Sequence, residues 1–302
     1  MSGTRSEGID PAAQGGAGID RAALRGGEPA WVDAHVHIFP PDMIATRDSY
    51  LPRDERFASL YADPRARMAT AEEVLAEMDR TGVAASVVFG FPFSDPGLCR
   101  HVNDYVLAAV AARPGRLAGL ASVSPAEPGA VAELQRCLDR GMRGCGELAL
   151  GGSSEDIDAL AGLAGLLREH ELPLLLHSNE PVGHQYPGKN AFGPAACVAC
   201  AAAYPGLKIV FAHMGGGTFL YEAMPELRRT LADAYYDTAA LPYLYDPAVY
   251  RAAEATAGAH KVLFGSDYAL LSPARYRDGL GELSPAARTA ICTDNARKVF
   301  KL

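Results

Sequence analysis

The sequence predicts an α/β protein built as one (β/α)8 TIM barrel, with a long loop between its first strand and first helix and a disordered N-terminal lead-in. Three observations predict it. Short apolar runs rich in Val, Ile, Leu and Phe alternate with amphipathic helical stretches along the chain. Eight such runs follow residue 30, the number a closed parallel barrel needs. The runs show little internal polar alternation, as strands covered on both faces should. A doubly wound open sheet is the rival; it calls for a Gly-rich turn after the first strand, and none is present.

Taken in order, residues 1–28 are rich in Gly, Ala and Ser and hold too few large apolar side chains to bury, so they read as a flexible segment ahead of a barrel over 29–302. The eight runs cover 31–39, 83–92, 116–125, 142–150, 172–181, 208–216, 234–241 and 261–271. Helices are expected over 70–80, 98–112, 130–140, 155–169, 194–204, 219–232 and 246–257. The first of these opens on Thr70-x-x-Glu73, a capping box, and stops at Gly82. Ser284-Pro285 opens a last helix with a cap and a proline at its first position. The longest connection, 40–69, lies where it overhangs the mouth of the barrel.

Composition narrows the class of function. Hydrophobic residues make up 49% of the 302, ample for a large core, and the mean hydropathy of −0.01 is that of a globular chain. The net charge of −8, with no basic run, argues against nucleic acid as a partner. Neither a membrane span nor a signal peptide is legible. Six cysteines without a secretory signal are expected to be reduced thiols in the cytoplasm. Cys197 and Cys200 lie in an Ala-rich stretch with no partner pair, so they read as buried thiols.

Barrel enzymes keep their reactive groups at the C-terminal ends of strands. His35 and His37 end the first run, Glu147 the fourth, His177 the fifth, His213 the sixth and Asp267 the eighth. A lone His-x-His is weak evidence, since a histidine satisfied by hydrogen bonds is the ordinary finding. Coincidence of four histidines and an acid at matching strand ends is what indicates a metal site. Asp33 reads as a buried structural acid. The Gly183–Lys189 stretch has the Gly-x4-Gly-Lys spacing, but Asn190 stands where a phosphate loop needs Ser or Thr. Its residues are instead placed to overhang His177, which makes Asn179, Glu180, His184, Tyr186 and Lys189 candidate substrate contacts. Arg47 or Arg53 in the long loop is a candidate for a substrate carboxylate. Phe91, Tyr243 and Tyr268, with Tyr50, Tyr61, Phe93 and Tyr245, are expected to give an aromatic mouth suited to a planar or apolar small molecule. Gly215-Gly216-Gly217 is expected to give clearance beside His213.

The segments Asp33–Pro40, Leu176-His177, Phe211–Gly216 and Phe264–Tyr268 together resemble the amidohydrolase superfamily, nearest to its amidohydrolase-related branch. That branch includes decarboxylases of the aminocarboxymuconate semialdehyde kind as well as lactone hydrolases. The resemblance implies His35, His37, His177 and Asp267 as metal ligands, with Asp267 also catalytic. It implies His213 as a catalytic residue or a ligand of a second ion. Glu147 has two readings. In deoxyribonuclease-like branches a Gly-Glu at this strand end bridges two metals, which here would put His177 and His213 on the second ion, whereas the decarboxylases lack it; otherwise Glu147 orients a histidine from behind. Zn2+ suits the ligands, one ion or two, with Mn2+, Fe2+ and Co2+ allowed. The first functional expectation is metal-dependent hydrolysis of a C–N or C–O bond (amide, cyclic amide, lactone or ester) in a small molecule through an activated water. Its alternative is non-oxidative decarboxylation of an aromatic or related carboxylate, and a third is an inactive barrel that only binds. A homodimer is expected from the resemblance.

Overall fold

The computed structural model describes residues 30–302. The lead-in expected over 1–28 lies outside the described residues. Eight strands follow: β1 (Trp31–His37), β2 (Val83–Phe89), β3 (Leu117–Gly119), β4 (Cys145–Leu148), β5 (Leu174–Leu176), β6 (Ile209–Phe211), β7 (Ala234–Asp237) and β8 (Val262–Leu263). All neighbours are parallel, β1-β2-β3 in one arc and β4 to β8 in the other. Single bridges, Ala121 with Cys145 and Val36 with Tyr268, join the arcs at both seams. The chain is thus the TIM barrel that the alternation of runs predicts.

Every strand ends earlier than its apolar run. The run over 172–181 keeps only three residues in the ladder, and that over 261–271 only two. Past the last ladder residue the chain stays buried but turns inward, because its polar side chains must meet over the barrel. His213, Met214 and Asp267 take left-handed backbone conformations there, with φ of 55°, 56° and 60°. Apolar periodicity reports burial and cannot see such a turn.

The helices follow their signals closely where punctuation is strong. The helix Ala71–Thr81 carries the complete Thr70/Glu73 capping box and stops at Gly82 with φ 75°. The stretch expected over 155–169 divides into Ser154–Asp158 and Ala161–Glu169. That expected over 219–232 divides at Pro225, which has no N–H to continue a helix.

Inside the ring, Val32, Ala34, Val87, Phe89, Leu120, Leu175, Val210 and Leu263 form one buried cluster. The last helix, Asn295–Phe300, packs Ala296, Val299 and Phe300 into it and closes the N-terminal end. Asn295 Nδ2 donates to the Val262 carbonyl at the start of β8. The long first loop folds into the short helices Pro41–Ala45 and Glu55–Tyr61. Phe39, Met43, Phe57, Phe91 and Phe93 bury one another beneath it, so the loop is a packed roof over the β1–β2 side.

Candidate metal centre

The site is assembled from the outside inwards. Asp237, at the end of β7, is fully buried. Its Oδ2 accepts the His35 Nδ1–H at 2.8 Å, and its Oδ1 accepts the backbone N–H of His213 and of Ala239, each at 3.0 Å. With its proton on Nδ1, His35 keeps a lone pair on Nε2, and that atom is buried without a hydrogen-bond partner. His213 is fixed in the same sense: its Nδ1 donates to the Ala239 carbonyl at 2.9 Å, leaving Nε2 as an acceptor. His177 donates from Nε2 to Asn179 Oδ1 at 3.0 Å, leaving Nδ1 as an acceptor. Orientation of each ring by a partner on its far nitrogen is the usual arrangement around metal-binding histidines.

Glu147 stands between these rings. One carboxylate oxygen, Oε1, lies 2.9 Å from His177 Nδ1 and 3.4 Å from His213 Nε2. The other, Oε2, lies 3.5 Å from His37 Nε2 and 3.8 Å from His35 Nε2. Asp267 Oδ1 approaches the second pair, 3.8 Å from His35 Nε2 and 3.7 Å from His37 Nε2. Among the described residues the donor atoms gather into two groups that share Glu147: His35, His37 and Glu147, and Glu147, His177 and His213. His177 therefore stands with His213 across Glu147, apart from the His35/His37 pair with which the single-ion expectation grouped it.

The residues fit divalent cations on three counts. Lone pairs of His177, His213 and Glu147 converge within hydrogen-bond distance, and three acceptors facing one another need a positive charge among them. His35 Nε2 is a buried acceptor with no partner, which costs free energy unless something binds it. The field of the site also favours positive charge. Burial alone lowers the His35 pKa, but the carboxylates of Asp237, Glu147 and Asp267 outweigh it and carry it up to about 10. Burial likewise lowers that of His213, and Glu147 with Asp267 and Asp237 carries it up to about 9. In His177 burial wins and the pKa falls. Burial raises that of Glu147, yet the surrounding imidazoles hold it well below the usual carboxylate range.

Beneath the centre, Asp33 accepts from Ser266 N at 2.9 Å, Ser266 Oγ at 2.5 Å and His35 N at 3.2 Å. It locks β1 to the segment bearing Asp267, the structural role expected of it. Burial raises its pKa to about 7 against these hydrogen bonds.

The remaining candidates are placed variously. Arg47 caps the Ala66 and Pro64 carbonyls within its own loop, and Arg53 pairs with Asp95 at the surface. Both guanidinium groups are thereby engaged away from the histidines. The loop arginine that reaches the site is Arg56, which the sequence reading did not single out. Its charge acts on Glu147 and on His177, it lies 5.5 Å from the centre of the Phe91 ring, and its buried Nε has no hydrogen-bond partner. Phe91 is buried in the roof as the backing of Arg56, not exposed at an open mouth. Lys189 turns back on its own loop and donates to the Val182 and His184 carbonyls at 2.8 and 3.1 Å. His184 is exposed against Tyr186. Tyr243 is half-buried on the core, and Tyr268 is buried with Arg67 over its ring. Asn179, Glu180 and Tyr186 do gather beside His177, with Tyr186 Oη donating to Glu180 Oε2 at 3.1 Å. Asp237 lies in the middle of the seventh apolar run and ends β7 only because the strand stops early, so the sequence, with no His beside it, does not mark it. All six cysteines are buried, and none forms a disulfide. No helix among the described residues is long and apolar enough to cross a membrane.

Comparison with known proteins agrees with this architecture. The comparison with curated proteins gives no match. Among solved structures, the chain is similar to 5-carboxyvanillate decarboxylase from Sphingomonas paucimobilis, at 17% identity over 90% of this chain and 99% of that one, with a TM-score of 0.72. It is similar to 2,6-dihydroxybenzoate decarboxylase from Rhizobium at 19% identity, over 90% and 98% of the two chains, with a TM-score of 0.65. A dihydroxybenzoic acid decarboxylase from Polaromonas, solved with bound manganese and the inhibitor 2-nitroresorcinol, has 17% identity over 90% and 97%, with a TM-score of 0.65. These likenesses are likenesses of fold. A family model described as amidohydrolase matches residues 32–302, from the first strand to the last residue, and the chain belongs to the amidohydrolase family.

Proposed function

We propose that the protein is a metal-dependent hydrolase that cleaves a C–N or C–O bond in a small organic molecule, with Glu147 shared between two divalent cations. The observation that carries this reading is the position of Glu147, one oxygen toward His177 and His213 and the other toward His35 and His37. When bound, the cations supply Lewis acidity that polarises the scissile carbonyl and makes an attacking water acidic near neutral pH. His35, His37 and Asp267 would hold one, His177 and His213 the other. Zn2+ suits these nitrogen and oxygen donors, and Mn2+ is the first alternative to load.

The chain's own groups do the rest. Asp267 is the most exposed carboxylate of the centre, with 14% of its side chain accessible. It takes a proton from the attacking water and passes it to the leaving nitrogen or oxygen. Arg56 meets an anionic group of the substrate, or the oxyanion that forms at the carbonyl. Asp237 keeps the His35 proton on Nδ1 throughout and so acts as a positioning residue.

A second reading is non-oxidative decarboxylation of an aromatic or related carboxylate. The decarboxylases to which the fold is similar favour it, as does a half-buried cation, Arg56, able to hold a carboxylate. Glu147 favours the first reading and is a feature of this chain itself. The test is turnover of the Zn2+- or Mn2+-loaded protein, in 18O-labelled water, on a panel of lactones, cyclic amides, esters and hydroxybenzoates. Hydrolysis places 18O in an acid product; release of CO2 without 18O uptake in the organic product establishes the second reading in its place.

A further inference from the structure

Beside the histidine cluster lies a polar group for which the proposed chemistry has no use. Glu180 follows Asn179, the residue that holds His177 Nε2 at 3.0 Å. Its Oε2 accepts from Tyr186 Oη at 3.1 Å, while Oε1 is buried and has no hydrogen-bond partner. Tyr245 Oη is also buried, makes no hydrogen bond of ordinary length, and interacts with the Glu180 carboxylate. The two belong to one neighbourhood, since burial and then the Glu180 charge push the Tyr245 hydroxyl far above its ordinary pKa. Among the described residues the hydrogen bond to Glu180 comes from a neutral hydroxyl, and the nearby Lys189 is engaged with loop carbonyls.

The backbone is shaped to bring these groups to the centre. A side chain on Gly216, three residues after His213, would stand 2.1 Å from the Asn179 carbonyl and 2.9 Å from Glu180 N. On Gly217 it would meet Tyr245 Oη at 3.9 Å. Gly216 and Gly217 thus allow the segments after β5, β6 and β7 to pack closely beside His177 and His213. Among the described residues the Glu180 carboxylate has two tyrosine hydroxyls beside it and no cation, so it asks for a ligand that brings N–H donors and positive charge.

We infer that Glu180, with Tyr186 and Tyr245, forms a substrate subsite that receives a guanidino, amidino or protonated amino group. This deepens the hydrolase reading and rests on it in one respect, that Glu180 adjoins the reacting centre through Asn179 and His177. Arg56 enters from the loop after β1 with the opposite charge. Together the two select a substrate carrying an anionic group and a nitrogen cation, such as an ω-guanidino or ω-amino acid derivative. Glu180 is here a specificity-determining residue, and no bond to it forms or breaks.

The test is calorimetric titration of the full, metal-loaded chain with 4-guanidinobutyrate, and with heptanoate as a neutral-tailed match. The wild type binds the guanidino acid at least about ten-fold more tightly than heptanoate, as a charge-assisted bidentate contact should. Glu180→Gln abolishes that preference while leaving heptanoate binding unchanged, and Tyr245→Phe weakens the guanidino acid a few-fold. Thermal unfolding of both variants checks that they fold. Equal binding of the two probes, binding of neither, or a Glu180→Gln variant that keeps the preference overturns the inference. Because binding is read without turnover, a preference in the absence of any hydrolysis leaves the subsite standing and removes the hydrolase reading. Hydrolysis without the preference does the reverse.

Discussion

Asp237→Asn separates a positioning role from a merely structural one. The carboxylate accepts three hydrogen bonds in a fully buried setting: His35 Nδ1–H at 2.8 Å, and the N–H groups of His213 and Ala239 at 3.0 Å each. An Asn of the same shape keeps one acceptor oxygen. If that oxygen stays with the two backbone donors, its NH2 faces His35 Nδ1–H. The imidazole relieves the clash by carrying its proton on Nε2, and the lone pair that pointed into the centre is lost. A hydrogen bond to a charged group is worth about 1.5–3 kcal/mol, and loss of such a carboxylate partner lowers metal affinity by about 10–100-fold. Asp237→Ala also orphans the two backbone N–H groups, at about 1–3 kcal/mol each. The assay is competition for Zn2+ against a chromogenic chelator, paired with urea unfolding of the chelator-treated protein. The expected order is wild type above Asn above Ala in stability, with both variants weak in metal binding. An Asn variant that binds Zn2+ as tightly as wild type would refute the claim that Asp237 sets the His35 tautomer.

Three further outcomes follow from the fold. Gly216→Ala meets a φ of +57° and a carbonyl 2.1 Å from the new Cβ; the left-handed conformation alone costs about 1–2 kcal/mol, so urea unfolding is expected to show a larger loss, and an unchanged midpoint would contradict the close approach. Lys261 Nζ donates to both oxygens of Glu222 at 2.9 and 2.8 Å and to the Leu231 carbonyl at 2.7 Å in a buried setting. Lys261→Met is expected to cost about 3–5 kcal/mol by stranding Glu222, and adding Glu222→Gln should recover much of that in thermal melts. For Glu133, burial raises the pKa but Arg136 and Asn103 outweigh it, so the folded value lies below the ordinary one. Its contribution to stability is therefore complete above the unfolded carboxylate pKa and is lost as pH falls through the depressed folded value. Glu133→Gln should accordingly lose less stability than wild type between neutrality and acid pH, as followed by Tm.

Much of this was legible in the sequence because one signal carried it twice. The apolar runs located all eight strands, and their ends located His35, His37, Glu147, His177, His213 and Asp267. Punctuation with a physical mechanism also read through, as at Thr70, Glu73 and Gly82. What failed to read through was three-dimensional. Which histidines stand together depends on how β4, β5 and β6 turn inward, so the sequence leaves His177 either with His35 and His37 or, across Glu147, with His213. Arginines 47, 53 and 56 are equivalent in composition and spacing. Only the packing of Phe57 and Phe91 decides that Arg56 points inward while the others bond within the roof or at the surface. Phe91 was legible as aromatic, but not as buried.

The central claim is that Glu147 is shared by two cations, and metal content per chain tests it most directly. Elemental analysis of protein prepared without chelators, and reloaded with Zn2+ or Mn2+, should give about two ions per chain, falling to one or fewer in Glu147→Gln. A ratio near one that Glu147→Gln leaves unchanged would contradict the account and return the chain to a single-ion, decarboxylase-like reading.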